Sequence, residues 1–172
     1  MRRYVRQDTF FRAIPSILER HPTVVFLCSA MKDQPVAEQW IRRLGIGHAV
    51  RLLPNLPPAG MGDVYRMATV TVSPSVHDGT PNTLLEAMAS GCVPVAGNIE
   101  PIREWISDGS NGLLFDSTNP RSLADAVHRA LSDEELRHNS KGHNLQLISE
   151  RGSYMPNMAR ARAFYSEMIG RS

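Results

Sequence analysis

Asp78 and Glu86 stand with seven residues between them, inside the stretch 70–91, VTVSPSVHDGTPNTLLEAMASG. An ionised carboxylate only accepts hydrogen bonds, so its natural partners are hydroxyl and amide donors. Between the two acids lie Gly79, Thr80, Pro81, Asn82 and Thr83. A glycine lets backbone come close to a ligand. A proline at a helix start gives up an N–H that the first turn would leave unpaired anyway. The first N–H groups of a helix carry partial positive charge and attract phosphate. A carboxylate one turn further in would repel that phosphate and suits a pair of sugar hydroxyls instead. The chemistry written in this stretch is recognition of a phosphate and a sugar side by side, as in a nucleotide-sugar.

Such groups need a strand, a loop and a helix to hold them. Residues 68–72 (ATVTV) are β-branched and read as a strand, and 73–81 as a polar loop. A helix runs from Asn82 or Thr83 to Ala89 and stops at Ser90-Gly91. A strand end facing a helix start is where open α/β sheets bind ligands. Elsewhere apolar runs alternate with helical spacing. The run 23–28 (TVVFLC) lacks alternation, as in a strand buried on both faces. Shorter strands are expected over 49–53, 93–96 and 112–115. Helices are expected over 9–20, with Pro15 kinking or delaying it, and over 35–44, 61–67, 101–106, 122–131, 134–149 and 154–169. This alternation predicts an α/β fold with a doubly wound parallel sheet, as one domain over 1–172 closed by a C-terminal helix over 152–172.

Bulk properties narrow the partners. The 19 basic and 17 acidic residues nearly cancel, leaving no electrostatic case for nucleic acid or an anionic membrane. Arg2, Arg3, Arg6 and Arg12 make the front locally basic, either as a solvated tail or as a phosphate-facing edge. Cys28 and Cys92 form no CxxC pattern and read as buried free thiols of a reducing compartment. The six histidines are scattered and make no metal-ligand set. No run approaches the ~18 apolar residues of a membrane helix, and the front does not read as a signal peptide. A cytoplasmic location is expected, with peripheral attachment at the inner membrane face left open through a full-length protein.

The segment PSVHDGTPNTLLEAMASGCVPVAG resembles the donor-site signature of retaining glycosyltransferases of the GT-B fold, most closely family 4. That signature has the form PSxxEGFGxxxLEAMAxGxPVxA, with two acids in an E-x7-E spacing. PIREWISDGSNGLLFD resembles the same family's PEVVEDGxNGLLV, with Glu104 at its glutamate. The resemblance implies a Rossmann-like C-terminal half of a two-domain GT-B enzyme. It implies transfer of a sugar, with retention, from a nucleotide-diphosphate sugar to an unknown acceptor, with no metal and no further cofactor. Glu86 would grip the ribose hydroxyls, and Asp78 would lie near the donor sugar and the reacting centre. His77, Gly79, Thr80, Asn82 and Thr83 would complete the donor site through side chains or backbone N–H groups.

The departures from the pattern matter too. Asp78 is one methylene shorter than the family's glutamate. Thr80-Pro81 replaces Phe-Gly, which removes one backbone donor. The family's C-terminal domain opens with a strand ending in glycine, arginine and then lysine, a cationic pair for the diphosphate. This chain begins at or inside that segment, with Arg6 near the lysine position, so an isolated donor-binding domain is expected, with the N-terminal domain absent. Local readings compete: a solvent-facing glutamate for Glu86, an Asp-Gly turn for Asp78 and a surface histidine for His77. Glu104 reads more readily as a brace of local structure than as a ligand contact. The alternative functions are a nucleotide-sugar-binding module without transfer activity, a nucleotide-sugar 2-epimerase on the same scaffold, or a plain interaction domain.

Overall fold

A computed structural model describes residues 4–79, 81–152 and 154–170. Arg2, Arg3 and Thr80 lie outside the described residues. In chain order the elements are α1 (Gln7–Arg20), β1 (Phe26–Cys28), α2 (Pro35–Leu44), β2 (Val50–Leu52), α3 (Pro58–Met67), β3 (Val70–Ser73), α4 (Asn82–Ala89), β4 (Val93–Gly97), α5 (Glu100–Arg103), β5 (Leu113–Phe115), α6 (Pro120–Ser132), α7 (Glu134–Leu147) and α8 (Tyr154–Gly170). A π-helical turn, Ile148–Gly152, joins α7 to α8.

Among the described residues the pairs between β1 and β2, β3 and β4, and β4 and β5 are parallel. β1 pairs with β2, placing Phe26 beside Val50, while β3, β4 and β5 pair in that order, placing Val70 beside Val93 and Val95 beside Leu113. Alternation along the strands sends side chains to two helical layers. Val93, Val95, Leu113 and Phe115 pack with Phe11 and Ile14 of α1 and with Leu123 and Val127 of α6. Ala96 and Leu114 face the other way, against Leu84, Leu85 and Met88 of α4 and Ile102 of α5. This is the doubly wound arrangement that the alternation predicts. The difference is that the sheet comes as two ladders, β2-β1 and β3-β4-β5, because β1 and β3 do not hydrogen-bond to each other.

The expected elements form with shifted ends. α1 passes through Pro15 as one helix, since a single missing N–H is tolerated where Phe11, Ile14 and Ile17 are all buried. α3 starts three residues before the apolar signal, because Pro58 suits its first turn. α4 stops at Gly91, whose φ of 90° favours glycine. α6 is capped by Asn119, whose side chain accepts from the N–H groups of Arg121 and Ser122. Both cysteines are free and buried, as the sequence suggests. Burial pushes the Cys28 thiol up to about 12 and the Cys92 thiol to about 11. Among the described residues no helix is long and apolar enough to cross a membrane.

Candidate functional site

The site is built where β3 ends. The chain leaves Ser73, turns through Pro74–Gly79 and re-enters as α4. This loop is anchored from three directions. The Ser117 hydroxyl donates to the Ser75 carbonyl at 2.9 Å. The Arg6 N–H donates to the Pro74 carbonyl at 2.9 Å, and the Val76 N–H donates to the Tyr4 carbonyl at 2.8 Å. The Tyr4 ring also lies 5.4 Å from the His77 ring. Gly97, at the end of β4, makes the first anchor feasible. A Cβ there would lie 2.2 Å from both the Ser117 hydroxyl and the Ser75 carbonyl oxygen, so only glycine admits this approach.

Within that frame Asp78 is half-buried, and the Ser75 hydroxyl donates to its Oδ2 at 3.4 Å. The carboxylate is steered by its own loop, as an Asp-Gly turn would be, yet it also lines a cavity of about 660 Å³. His77 and Gly79 are exposed, and among the described residues none beyond its chain neighbours lies within 4 Å of where a Gly79 Cβ would be. Gly79 is therefore free of packing duties and leaves its backbone accessible.

α4 presents two sides. Leu84, Leu85, Ala87 and Met88 are buried, and Asn82, Thr83 and Glu86 are exposed. Three- and four-residue spacing puts Asn82 and Thr83 one turn above Glu86 on a single face. Glu86 is exposed on a helix whose other side is buried. Its sequence neighbours are buried, but at 100° per residue they point elsewhere. Among the described residues nothing hydrogen-bonds its carboxylate. Its charge is nevertheless felt by Tyr65, whose hydroxyl pKa is pushed up first by burial and then by Glu86. The helix has no side-chain N-cap, and among the described residues the Asn82 and Thr83 N–H groups find no acceptor. Those amides are open to an anion.

Among the described residues that line the cavity there is no arginine or lysine. Arg6 lies beside the loop, but its guanidinium forks onto Asp8, with 2.9 Å to each carboxylate oxygen. That hydrogen bond raises the Arg6 pKa and holds Asp8 below the usual carboxylate range. Glu104 is exposed at the end of α5, and its carbonyl accepts from Arg151 at 2.9 Å, a bracing contact. Ser29 is exposed at the end of β1. Among the described residues no group of three His, Cys, Asp or Glu side chains could hold a metal ion.

The structure thus brings Asp78, Asn82, Thr83 and Glu86 to one strand-to-helix junction, with His77 and Gly79 at its rim. Sequence reading overlooks Ser75, Gly97 and Ser117. Ser75, three residues before Asp78, carries a local signal. The other two carry none, since they reach the loop only through the folded sheet.

Three comparisons bear on this arrangement. The family described as glycosyl transferases group 1 matches residues 1–143. A D-inositol 3-phosphate glycosyltransferase of Corynebacterium urealyticum is 32% identical over 134 residues, covering 73% of this chain and 32% of that protein. An uncharacterized glycosyltransferase of Methanocaldococcus jannaschii is 32% identical over 130 residues, covering 76% of this chain and 33% of that protein. The chain therefore spans about a third of the length of these curated relatives. Among solved structures, the C-terminal domain of a glycosyl transferase group 1 family protein from Francisella tularensis superposes with a TM-score of 0.77 at 22% identity, covering 90% of this chain and 83% of that one. TarM of S. aureus, solved with fondaparinux, α-GlcNAc-glycerol and UDP, gives 0.79 at 21% identity, covering 89% and 31%. At such identities the likeness is one of fold, that of the C-terminal domain of GT-B glycosyltransferases.

Proposed function

The chain belongs to the glycosyl transferases group 1 family, and from that premise we propose that it is the donor-binding half of a retaining, family 4 glycosyltransferase. It takes a nucleotide-diphosphate sugar, and the acceptor comes from an N-terminal domain. The observation that carries this reading is the shared exposed face of α4, where open N-terminal amides stand one turn from the Glu86 carboxylate.

The chemistry follows from position. The Asn82 and Thr83 N–H groups and the helix dipole receive the diphosphate, and the Thr83 hydroxyl adds a donor. Glu86, repelled by phosphate, accepts from the two ribose hydroxyls. Asp78, steered by Ser75 at the loop tip, faces the donor sugar, with His77 and Gly79 beside it. As the glycosidic bond lengthens, negative charge grows on the leaving diphosphate. Fixed amides stabilise that growing charge without reorganising. Thr80, which lies outside the described residues, belongs to the same proposed set. Pro81 supplies no N–H, so this site grips phosphate with one donor fewer than a glycine there would allow.

The isolated chain is expected to bind nucleotide weakly and not to turn over. Calorimetry with UDP, GDP and ADP tests the site, using the unsubstituted chain and Glu86→Ala. Losing two charge-assisted hydrogen bonds at about 1.5 kcal/mol each should weaken the preferred nucleotide roughly a hundredfold. Unchanged affinity would remove Glu86 from the ribose. Donor hydrolysis assayed after joining an N-terminal acceptor domain separates an enzyme from a binding module.

A further inference from the structure

Arg12 of α1 and Arg43 of α2 share one aromatic ring. The Arg12 Cζ lies 5.3 Å from the centre of the Trp40 ring, and the Arg43 Cζ lies 5.7 Å from it. The ring is held from beneath: Trp40 is half-buried and packs on the cluster that holds Phe11, Ile14 and Ala37. Local spacing explains the arrangement. Arg43 follows Trp40 by three residues, on the same side of α2, and Arg12 is exposed between the buried Phe11 and Ala13 of α1. A guanidinium over an indole is attracted by the negative face of the ring, which holds the planar group without using its N–H donors. Here those donors are unused. Among the described residues neither guanidinium ion-pairs with a carboxylate, and neither they nor the Trp40 indole N–H donate to an acceptor. The nearby acids are engaged elsewhere: Glu38 lies 3.6 Å from Arg42, and Asp8 is held by Arg6 at 2.9 Å. Two positive charges thus stand over one ring with no anion between them, a local excess that the near balance of 19 basic and 17 acidic residues hides.

We propose that Arg12, Trp40 and Arg43 form a binding site for a phosphate monoester. The ligand class follows from the donors. Each guanidinium presents parallel N–H groups as a fork. A carboxylate has two oxygens and fills one fork, whereas a phosphate monoester has three terminal oxygens and close to two negative charges, and fills two. The two distances to the ring put the guanidinia at most about 11 Å apart, a span that two flexible stems can close onto one phosphate. Val36, one turn before Trp40 and 42% exposed, gives the carbon end of the ester an apolar neighbour. The site lies away from the strand-to-helix junction. α1 and α2 pack on the side of the sheet with Val93, Val95 and Phe115, whereas α4 packs on the other side with Ala96. The proposal therefore rests on no reading of Asp78 or Glu86.

Titration of the isotope-labelled chain with ethyl phosphate tests it, read at the Trp40 indole N–H and at the Nε–H signals of Arg12 and Arg43. All three should shift together and saturate, with a Kd of about 1–10 mM. Sodium chloride at matched ionic strength should give no saturating shift. Arg12→Gln and Arg43→Gln should each weaken binding at least fivefold, and so should Arg43→Lys, because an ammonium offers no fork. Arg20→Gln removes the same charge from α1 without touching the ring, and should change the Kd by less than twofold. Vesicles of phosphatidylcholine, with and without phosphatidic acid, separate the sources of the phosphate. Cosedimentation that needs phosphatidic acid and both arginines assigns it to a lipid headgroup, and saturable binding of ethyl phosphate without cosedimentation assigns it to a soluble ester. Shifts that chloride reproduces, or affinity lost equally in Arg20→Gln, would overturn the site, since either would mean a diffuse positive surface. So would the absence of any saturating shift up to about ten times the expected Kd.

Discussion

Gly97→Ala offers a direct test of how the sheet positions the site. The added methyl would lie 2.2 Å from the Ser117 hydroxyl and 2.2 Å from the Ser75 carbonyl oxygen. Ordinary contact needs about 3.5 Å, so each neighbour must retreat by more than 1 Å. Ser117 can rotate, which forfeits its 2.9 Å bond to Ser75 and about 1 kcal/mol. The Ser75 carbonyl is backbone at the end of β3 and moves only with the loop. Overpacking of that kind costs about 1–3 kcal/mol. Restricting the unfolded chain returns about 0.5–1 kcal/mol. The net destabilisation should be about 2–3 kcal/mol, read as a lowered urea midpoint. Adding Ser117→Ala should recover only part of it, since the clash with the carbonyl stays. Gly79→Ala is the internal control, because nothing lies within 4 Å of its Cβ. It should change stability by no more than about 0.5 kcal/mol. A Gly97→Ala chain as stable as the parent, or one fully restored by Ser117→Ala, would refute the account of the loop as pinned through its backbone.

Other outcomes follow from the same contacts. Asn144 is fully buried, accepts from the Asn111 side chain at 2.8 Å and donates to the Asn111 carbonyl at 2.9 Å. Asn144→Ala leaves the Asn111 carbonyl and one Asn111 amide N–H unpaired, the other N–H still donating to the Trp105 carbonyl at 2.9 Å, so thermal unfolding should show a loss of about 2–4 kcal/mol. His21 contacts His128 at 2.8 Å, and burial first, then the charges of His128 and Arg20, lower its pKa below the ordinary 6.5. A depressed histidine leaves the unfolded chain binding more protons just below pH 6.5, so stability should fall with acid in that window and hold above it. His21→Gln should flatten that slope in urea melts between pH 5 and 7. With thiol pKa values raised to about 12 and about 11, Cys28 and Cys92 should resist thiol reagents at pH 8 until the chain is unfolded in urea. Rapid labelling of either in the native state would contradict their burial.

Much was legible before any fold was seen, and for local reasons. Helix and strand identity followed from hydrophobic period, so α1 to α8 and β1 to β5 fell near their expected places. The strand, loop and helix around Asp78 and Glu86 were readable because junctions of this kind are written in contiguous residues. The exposure of Glu86 was a matter of angle around α4, which a count of buried neighbours in sequence misses. Three things needed the tertiary structure. Ser117 reaches Ser75 across 42 positions of sequence, and Gly97 matters only because those two meet over it. Arg6 carries a cation that the fold has already committed to Asp8. Arg12 and Arg43 meet over Trp40 only because α1 and α2 lie side by side, which no contiguous pattern shows. The sequence by itself marked the strand, loop and helix around Asp78 and Glu86 as the candidate site. Only tertiary packing decided how that loop is pinned and which cations share a ring, because both depend on contacts between elements far apart in the chain.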